Sequence, residues 1–213
     1  IPNLNYTKNN EKKSEIIFDE KSILDKNYII KSLTFLEDKT KIHISNIKLN
    51  KNLQIDDFSK INIKTFSSGI KNNDFVVEKK KEIKIHGKVF DAKPILQSLY
   101  KKSSKKTFSK KFKSKIKINF DKTLTGTGDN VSNFAMIADI NKGSFNKLNL
   151  KGNFSETEIV ELSIYQINEN KKTFHLISDR ARPFIKHFDF IKGFEGGKLE
   201  YVSIIEKGKD SSN

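Results

Sequence analysis

Apolar and polar residues alternate with a period of two along most of this chain. The clearest run is Lys115-Ile116-Lys117-Ile118-Asn119-Phe120, in which the residue class changes at every step, as in a strand with one buried face. The six alternating runs are 41–44, 61–64, 82–85, 115–120, 148–154 and 174–176, and further strand candidates are 15–18, 28–36, 135–140 and 158–167. At Asn46 the phase shifts, which predicts a bulge or bend. The pattern predicts a mainly antiparallel β-sheet.

Two short stretches have a helical pattern instead. In the first, Asp91 is a candidate N-cap, Pro94 falls in the first turn, and Ile95, Leu96 and Leu99 share one face. In the second, Asp179 is a candidate cap ahead of Pro183, and Phe184, Ile185 and Phe188 share one face. Corresponding positions in the two stretches are 89 residues apart. This spacing favours a duplicated unit over a chance recurrence of the same helix start signals.

The sequence predicts one continuous segment over residues 1–213, with repeats over about 1–100 and 101–205 and a disordered tail at 206–213. Because the chain begins with Ile1 and its only methionine is Met136, we expect a piece of a longer polypeptide. A sheet with one apolar face has to be covered by a second layer, by self-closure or by a ligand, and two short helices are too few to cover it. An open groove, a closed barrel and a two-sheet sandwich all satisfy this requirement.

Charge narrows the choice of partners. The chain has 41 Lys and Arg against 26 Asp and Glu, a net charge of +15, and its only arginines are Arg180 and Arg182. Lysine is a hydrated point charge, so this surplus favours diffuse attraction to anions over reading of base edges. A run with many lysines and no acid covers residues 101–117. It is either a solvated loop or a contact to an anionic surface, with lipid headgroups favoured, through Lys101, Lys102, Lys105 and Lys106.

The residues that usually carry catalysis form no recognisable constellation. The chain has no cysteine, which excludes disulfides, thiolate metal sites and cysteine nucleophiles. His43, His86 and His175 fall on the polar phase of strands, which favours solvent-facing positions over metal ligation. Thr125-Gly126-Thr127-Gly128-Asp129 lacks the Lys-Ser/Thr of a phosphate-binding loop, and a hairpin turn explains it better. We expect neither an enzyme nor a cofactor or metal site.

The C-terminal third carries an ordered set of features that resembles a known family. Ser178-Asp179-Arg180-Ala181 ends a strand, Phe184 and Ile185 follow in a helix, and Gly196-Gly197-Lys198-Leu199 opens the next strand. This order is similar to the C-terminal signature of the AsmA-like family, YhdP/TamB-type branch. The segment Asp91-Ala92-Lys93-Pro94 is similar to the Asp-Ala-x-Pro segment of the same proteins, so the resemblance covers residues 80–205. The signature residues are Asp91, Pro94, Asp179, Ala181, Gly196 and Gly197.

The resemblance implies a mainly β fold, an elongated curved antiparallel sheet that forms an open β-groove with two short helices. In this family, repeating β-grooves hold phospholipid acyl chains for transport between the inner and outer membranes, which maintains outer-membrane integrity. The implied partners are phospholipids and a membrane surface, with no specific nucleic acid. The implied setting is the periplasm of a Gram-negative bacterium, as a monomeric part of a longer chain anchored in the inner membrane. The groove-lining residues we expect are Ile116, Ile118, Phe120, Leu148, Leu150, Phe154, Leu162, Ile164, Phe174 and Leu176.

Other functional classes fit parts of the same pattern. A structural or adhesive envelope protein would present the cationic surface and carry no lipid. A nucleic-acid-binding protein would use the positive charge, but the near absence of arginine and the scattered aromatic residues argue against it. The leading prediction is a non-catalytic lipid-binding segment.

Overall fold

The computed structural model describes residues 4–9, 11–24, 27–53, 55–99, 112–168, 170–186 and 196–206. Strands make up 66% of it and helices 6%. The strands are β1 (Glu15–Leu24), β2 (Asn27–Glu37), β3 (Thr40–Leu49), β4 (Ile55–Asp57), β5 (Lys60–Ser67), β6 (Ile70–Lys79), β7 (Ile83–Asp91), β8 (Ser114–Leu124), β9 (Val131–Asn141), β10 (Ser144–Asn153), β11 (Ile159–Asn168), β12 (Lys171–Ser178) and β13 (Leu199–Glu206). The helices are α1 (Lys93–Leu99) and α2 (Arg182–Ile185).

All thirteen strands belong to one open, curved sheet. They follow one another in chain order from β1 to β13, except that β4 pairs with β3 beside the main path. Neighbouring strands are antiparallel, and β7 with β8 is the one parallel pair of the described sheet. The mainly β fold, the open curved sheet and the two short helices are confirmed. The parallel pair was not predicted.

Each predicted strand segment overlaps an observed strand, although Glu82, Phe154 and Glu158 fall one residue outside β7, β10 and β11 respectively. Ile116 and Ile118 face one side of the sheet together with their paired neighbours Ala138 and Met136. The predicted irregularity at Asn46 is confirmed, because this residue has φ of 51° within β3. Its left-handed backbone allows Ile47, only three residues after Ile44, to reach a buried position.

The sheet curves toward its apolar side. A flat single layer leaves the side chains of each face open to solvent, yet Ile63, Phe75, Phe120 and Leu148 are all less than 9% exposed. They reach this burial because side chains from non-adjacent strands converge, as where the rings of Phe75 on β6 and Phe120 on β8 lie 5.6 Å apart. We call the apolar side the concave face and the opposite side the outer face.

Gly87 makes this convergence possible. It lies on β7 between Phe75 and Phe120, and a Cβ at this position would be 2.3 Å from the Asp74 carbonyl oxygen and 2.4 Å from the Phe75 Cα. No larger residue fits without moving the backbone of β6. The absence of a side chain therefore lets β6 approach β7 closely at the register shift between Asp74 and Phe75.

The two helices start as the prolines predict, but their caps differ. In α1 the Asp91 carboxylate accepts a hydrogen bond from the Lys93 N–H at 3.1 Å, as expected of a residue at a helix start. Ile95 remains exposed, so the predicted apolar face of α1 is only partly packed.

The prediction that Asp179 caps α2 is wrong. The N-cap is Ala181, which makes no side-chain cap bond. The Asp179 carboxylate instead accepts the Ile159 N–H at 2.9 Å and forms an ion pair with Lys198 at 2.8 Å. Arg180 and Ala181 separate Asp179 from the first residue of α2, so its carboxylate lies too far from the first turn to cap it. The Ile159 N–H at the start of β11 is a closer hydrogen-bond donor.

The internal repeat stays a prediction. The helices begin at Lys93 and Arg182, 89 residues apart, and in both cases the preceding alanine N–H bonds to a carbonyl of the chain that follows the helix. After α1 the next strand is parallel to its neighbour, whereas after α2 it is antiparallel. The predicted headgroup lysines Lys101, Lys102, Lys105 and Lys106, the helix residue Phe188 and the tail from residue 207 lie outside the described residues.

Replacing Gly87 by Ala is expected to destabilise the protein by about 3 kcal/mol, because the added methyl group overlaps backbone atoms that cannot move independently. Urea unfolding followed by circular dichroism measures the loss. Gly196→Ala is the matched control, because a Cβ there has no heavy atom within 4 Å. Equal stability of Gly87→Ala and Gly196→Ala would contradict this account of the close approach.

Candidate functional site

One line of apolar side chains crosses the entire concave face. The pairing register places one residue from each strand of the main path directly opposite the next, and every one of them is apolar or aromatic. We call these twelve residues the central row: Phe18, Leu33, Ile44, Ile61, Val77, Ile85, Ile118, Met136, Leu150, Leu162, Leu176 and Tyr201. Strands lie about 4.8 Å apart, so the row extends over roughly 50 Å.

The central row is more accessible than the rows beside it. Nine of its ten inner members are half-buried, and Leu176 is the buried one. On one side Ile42, Ile63, Phe75 and Phe120 form a buried flank, and on the other side Ile116, Ala138 and Leu148 form a second. The concave face is thus an apolar strip that keeps part of its surface exposed between two packed flanks.

Local segments cover the flanks at their outer limits. Leu4 packs on the first flank, and the ring of Tyr6 lies 6.0 Å from that of Phe35. Phe112 packs on the second flank, and Phe184 of α2 packs against the cluster around Val160. These contacts explain why the flanks are buried although the sheet is a single layer.

A buried polar cluster fixes the N-terminal segment over the first flank. The side-chain amides of Asn72 and Asn73 donate to the Leu4 carbonyl at 3.2 and 2.7 Å. The Asn5 amide donates to the Asp91 carboxylate at 2.7 Å. These bonds are part-buried, so water competes with them less than at an exposed site and the cluster holds the segment in position.

The structure brings the ten predicted groove residues together on the concave face. Ile118, Leu150, Leu162 and Leu176 belong to the central row. Phe120 lies on the first flank, and Phe154 packs beyond the end of β10 against the Val160 cluster. The remaining four occupy the second flank and the strands that continue it, and these are Ile116, Leu148, Ile164 and Phe174.

Sequence reasoning missed the N-terminal half of the same face. Leu33, Ile44, Ile61, Val77 and Ile85 continue the central row through β2 to β7. Their strands alternate in the same phase, so the signal was present. What the sequence did not provide was the alignment of one strand with the next.

A cationic depression of about 610 Å³ lies at the turn between β6 and β7, next to the second flank. Lys80, Lys81, Lys84 and Lys115 line it together with Glu78 and Glu82. Lys84 is 3.5 Å from Glu82, while the side chains of Lys80, Lys81 and Lys115 are exposed. Glu78, Lys84 and Lys115 belong to the outer face, so this arrangement places positive charge at the margin of the sheet and on its outer face.

The outer face is polar at the positions next to the central row. One register line there runs through Ser45, Lys60, Glu78, Lys84 and Lys117, and two ion pairs reinforce it, Lys60 with Glu78 at 3.0 Å and Lys117 with Glu82 at 3.1 Å. Hydrogen bonding to Lys60 and Lys117 lowers the pKa of Glu78 and of Glu82 respectively. A depression of about 370 Å³ on this face is lined by mixed polar and apolar groups that include Lys117, Asn149 and His175.

Both arginines of the chain converge on one buried carboxylate. Arg182 binds Asp129 through two nitrogens, Nε at 2.6 Å and Nη2 at 2.8 Å, and Arg180 binds it at 3.1 Å. Arg180 also pairs with Glu158 and stacks over the Phe154 ring at 5.6 Å. The Asp129 side chain is only 5% exposed. We call Asp129, Glu158, Arg180 and Arg182 the arginine cluster.

The arginine cluster ties strand ends together. It joins the β8–β9 turn, the β10–β11 turn and the segment between β12 and α2, and it lines a polar cleft with Asp179, Ala181, Gly196 and Gly197. Hydrogen bonds from Arg182 and then Arg180 hold the pKa of Asp129 below its usual range, against the opposing effect of burial. Arg180 likewise lowers the pKa of Glu158, and Lys198 lowers that of Asp179. These groups are paired ions, which is typical of a structural site.

The signature residues thus lie at two chain reversals of the fold. Asp91 and Pro94 are at the start of α1, and Asp179 and Ala181 are at the start of α2. The Ala181 N–H donates to the Gly197 carbonyl at 2.8 Å, which brings the glycine pair against the helix start. Within the described ranges, no three acidic or histidine side chains are placed to hold a metal ion. Neither described helix has the length and apolar character of a membrane span.

Asp129→Asn is expected to cost about 1–2 kcal/mol of stability at pH 7, because it removes the shared partner of two guanidinium groups that are themselves partly hydrated. The Asp129 pKa is depressed in the folded state, so its contribution is complete above the unfolded-state pKa of about 3.9 and is lost as the pH falls through the folded value. Urea unfolding at pH 7 and at pH 3 should therefore show a smaller difference from wild type at pH 3. Asp121→Asn on the exposed side of β8 is the control, and an equal loss in both variants would contradict the assignment.

The proposed function of this chain rests on the geometry of its structure. Comparison with protein-family models, with curated proteins and with solved structures finds no significant match. The resemblance to AsmA-like proteins stays a prediction that rests on the ordered signature residues. The features of the described structure that bear on function are the accessible central row, the cationic depression at the β6–β7 turn and the arginine cluster at the strand ends.

Proposed function

We propose that this chain is a non-catalytic lipid-binding segment whose concave face holds phospholipid acyl chains along the central row. The single observation that carries the proposal is the unbroken apolar register through all twelve strands of the main path. A ligand that matches it must be apolar, narrow and long. Hydrocarbon chains have this shape, and each methylene moved out of water contributes about 0.8 kcal/mol.

The dimensions suit such a ligand. The hydrocarbon core of a bilayer is about 30 Å thick and contains two opposed acyl chains, so one chain covers about 15 Å. A row of roughly 50 Å can accommodate more than one chain length. Together with the AsmA-like resemblance, this supports a conduit role between the inner and outer membranes of a Gram-negative cell envelope.

The polar headgroups need a different environment. In this proposal they remain at the margin of the sheet, where Lys80 and Lys81 in the turn between β6 and β7 offer ammonium groups to phosphate. Near an anionic lipid surface each lysine contributes about 1 kcal/mol. The net charge of +15 adds a general attraction to the same surfaces.

Phospholipid is expected to co-purify with the protein and to be lost when the central row is interrupted. We would extract lipid from wild type, Ile118→Asp and Leu150→Asp and quantify it by mass spectrometry. Both positions are half-buried, so the added carboxylate would lie where the acyl chain has to pass. We expect at least a fivefold loss of bound phospholipid per folded protein.

The matched controls are Asn119→Asp and Asn149→Asp. They make the same change in charge on the same strands, at the neighbouring positions that face outward. They should retain wild-type lipid, and far-UV circular dichroism should show all four variants folded. A folded wild type without phospholipid would overturn the proposal and favour a structural or adhesive envelope protein.

Replacing Lys80, Lys81 and Lys115 together by Ser is expected to weaken binding to vesicles that contain phosphatidylglycerol at least tenfold, because three ammonium groups leave the depression at the β6–β7 turn. Vesicle flotation at physiological salt measures this. Serine at Lys39, Lys41 and Lys64 gives the same net charge on a different part of the sheet. An equal loss in the two triple variants would mean that the charge acts without any defined headgroup position.

A further inference from the structure

The last strand of the described sheet has an unpaired edge. β13 pairs with β12 through eight residues, and no described strand lies on its other side. Its backbone N–H and C=O groups on that side are available to another strand. Edge strands are commonly protected by lysine, yet β13 contains none in a chain rich in lysine.

The exposed apolar side chains of β13 favour association at this edge. Tyr201 and Ile205 lie on the concave face, and Val202 and Ile204 lie on the outer face. All four are large and apolar, and they are 49–59% exposed. A partner strand placed beside β13 would cover them on both faces at once.

The opposite edge of the sheet is a poor partner. β1 also exposes apolar residues, but Glu15 and Asp19 make it acidic, as Glu200 and Glu206 make β13 acidic. Pairing β1 of one copy with β13 of the next has no charge complementarity. It would also join copies head to tail, which does not close into a dimer.

A second copy of β13 fits in one register. In antiparallel pairing centred on Ser203, Tyr201 lies opposite Ile205 of the partner subunit, and Val202 lies opposite the partner's Ile204. Shifting the centre to Val202 would instead place Glu200 opposite the partner's Ile204, which buries apolar surface against a charge. The sequence of β13 therefore distinguishes between the two registers.

The favoured register is compatible with the positions of Glu200 and Glu206 on β13. It places Glu200 near the partner's Glu206. Glu200 contacts His175 at 3.0 Å, and Glu206 forms an ion pair with Lys171 on β12 at 2.8 Å. The Lys171 ammonium group offsets part of the repulsion between the two acids.

We propose that the chain forms a twofold dimer by antiparallel pairing of its β13 strands, centred on Ser203. The twofold axis is perpendicular to the sheet at this point, so the concave faces of both copies lie on the same side. The central row of one copy, which ends at Tyr201, then adjoins the partner's Ile205. This inference stands on the strand edge and is independent of lipid binding.

Cysteine cross-linking tests the register directly, because the wild-type chain has no cysteine. Directly opposed residues on paired strands have Cβ atoms about 4.5–5.5 Å apart, close to the spacing of a disulfide. Under mild oxidation Ser203→Cys should give at least five times more covalent dimer than Val202→Cys. Equal or greater cross-linking of Val202→Cys would overturn the register.

Analytical ultracentrifugation of the wild-type chain tests the assembly itself. We expect a dimer that dissociates on dilution, and a Val202→Lys, Ile204→Lys double variant that stays monomeric while retaining its circular dichroism spectrum. Ile17→Lys on β1 is the matched control and should leave the dimer intact. A wild-type monomer at about 100 µM, or open-ended oligomers that Ile17→Lys abolishes, would overturn the proposal, since a single strand pair is a small interface that should associate in this range.

Discussion

The structure depends on one constraint, which is that a single-layer sheet with an apolar face has to shield that face without a second layer. The chain meets the constraint in part by curvature. Bringing Phe75 and Phe120 together over Gly87 buries the flanks, and the N-terminal segment and α2 pack against them. The central row is the part of the face that curvature leaves half-exposed. The central row stays partly exposed because curvature, the N-terminal segment and α2 cover only the flanks.

Register is what turns twelve separate amphipathic strands into one face. A slip of one residue on β3, β5, β7, β8 or β10 would place a polar residue in the central row, because both neighbouring outer positions on these strands are polar. Ion pairs such as Lys60 with Glu78 oppose such slips along the strands. The arginine cluster and the buried amides of Asn72 and Asn73 do so at the strand ends, through part-buried hydrogen bonds. The polar groups of this protein therefore maintain the continuity of its apolar surface.

The strands and their phase could be predicted from the sequence, because alternation is a local signal. The open curved sheet was implied by the AsmA-like resemblance, since alternation alone left a groove, a closed barrel and a sandwich as alternatives. β6 was missed, since its first half contains Asn72, Asn73 and Asp74, whose burial depends on distant partners. The arginine cluster was missed for the same reason, as Asp129 and Arg182 are 53 residues apart. Asp179 was misassigned because its spacing from the helix suggested a cap, while the competing donor, the Ile159 N–H, is supplied by another strand. Periodicity identified which side chains share a face of a strand, but alignment between strands required the structure.

The uniformity of the central row also bears on how a ligand would behave there. A deep pocket fixes a ligand at one place, whereas a row of Ile, Leu, Val and Met presents nearly the same surface at each strand. An acyl chain that moves by one strand spacing exchanges equivalent apolar contacts, so its free energy changes little along the row. Departure from the face costs the full transfer of the chain into water. A surface of this kind favours retention together with movement along the row, and these are the two properties that a lipid conduit requires.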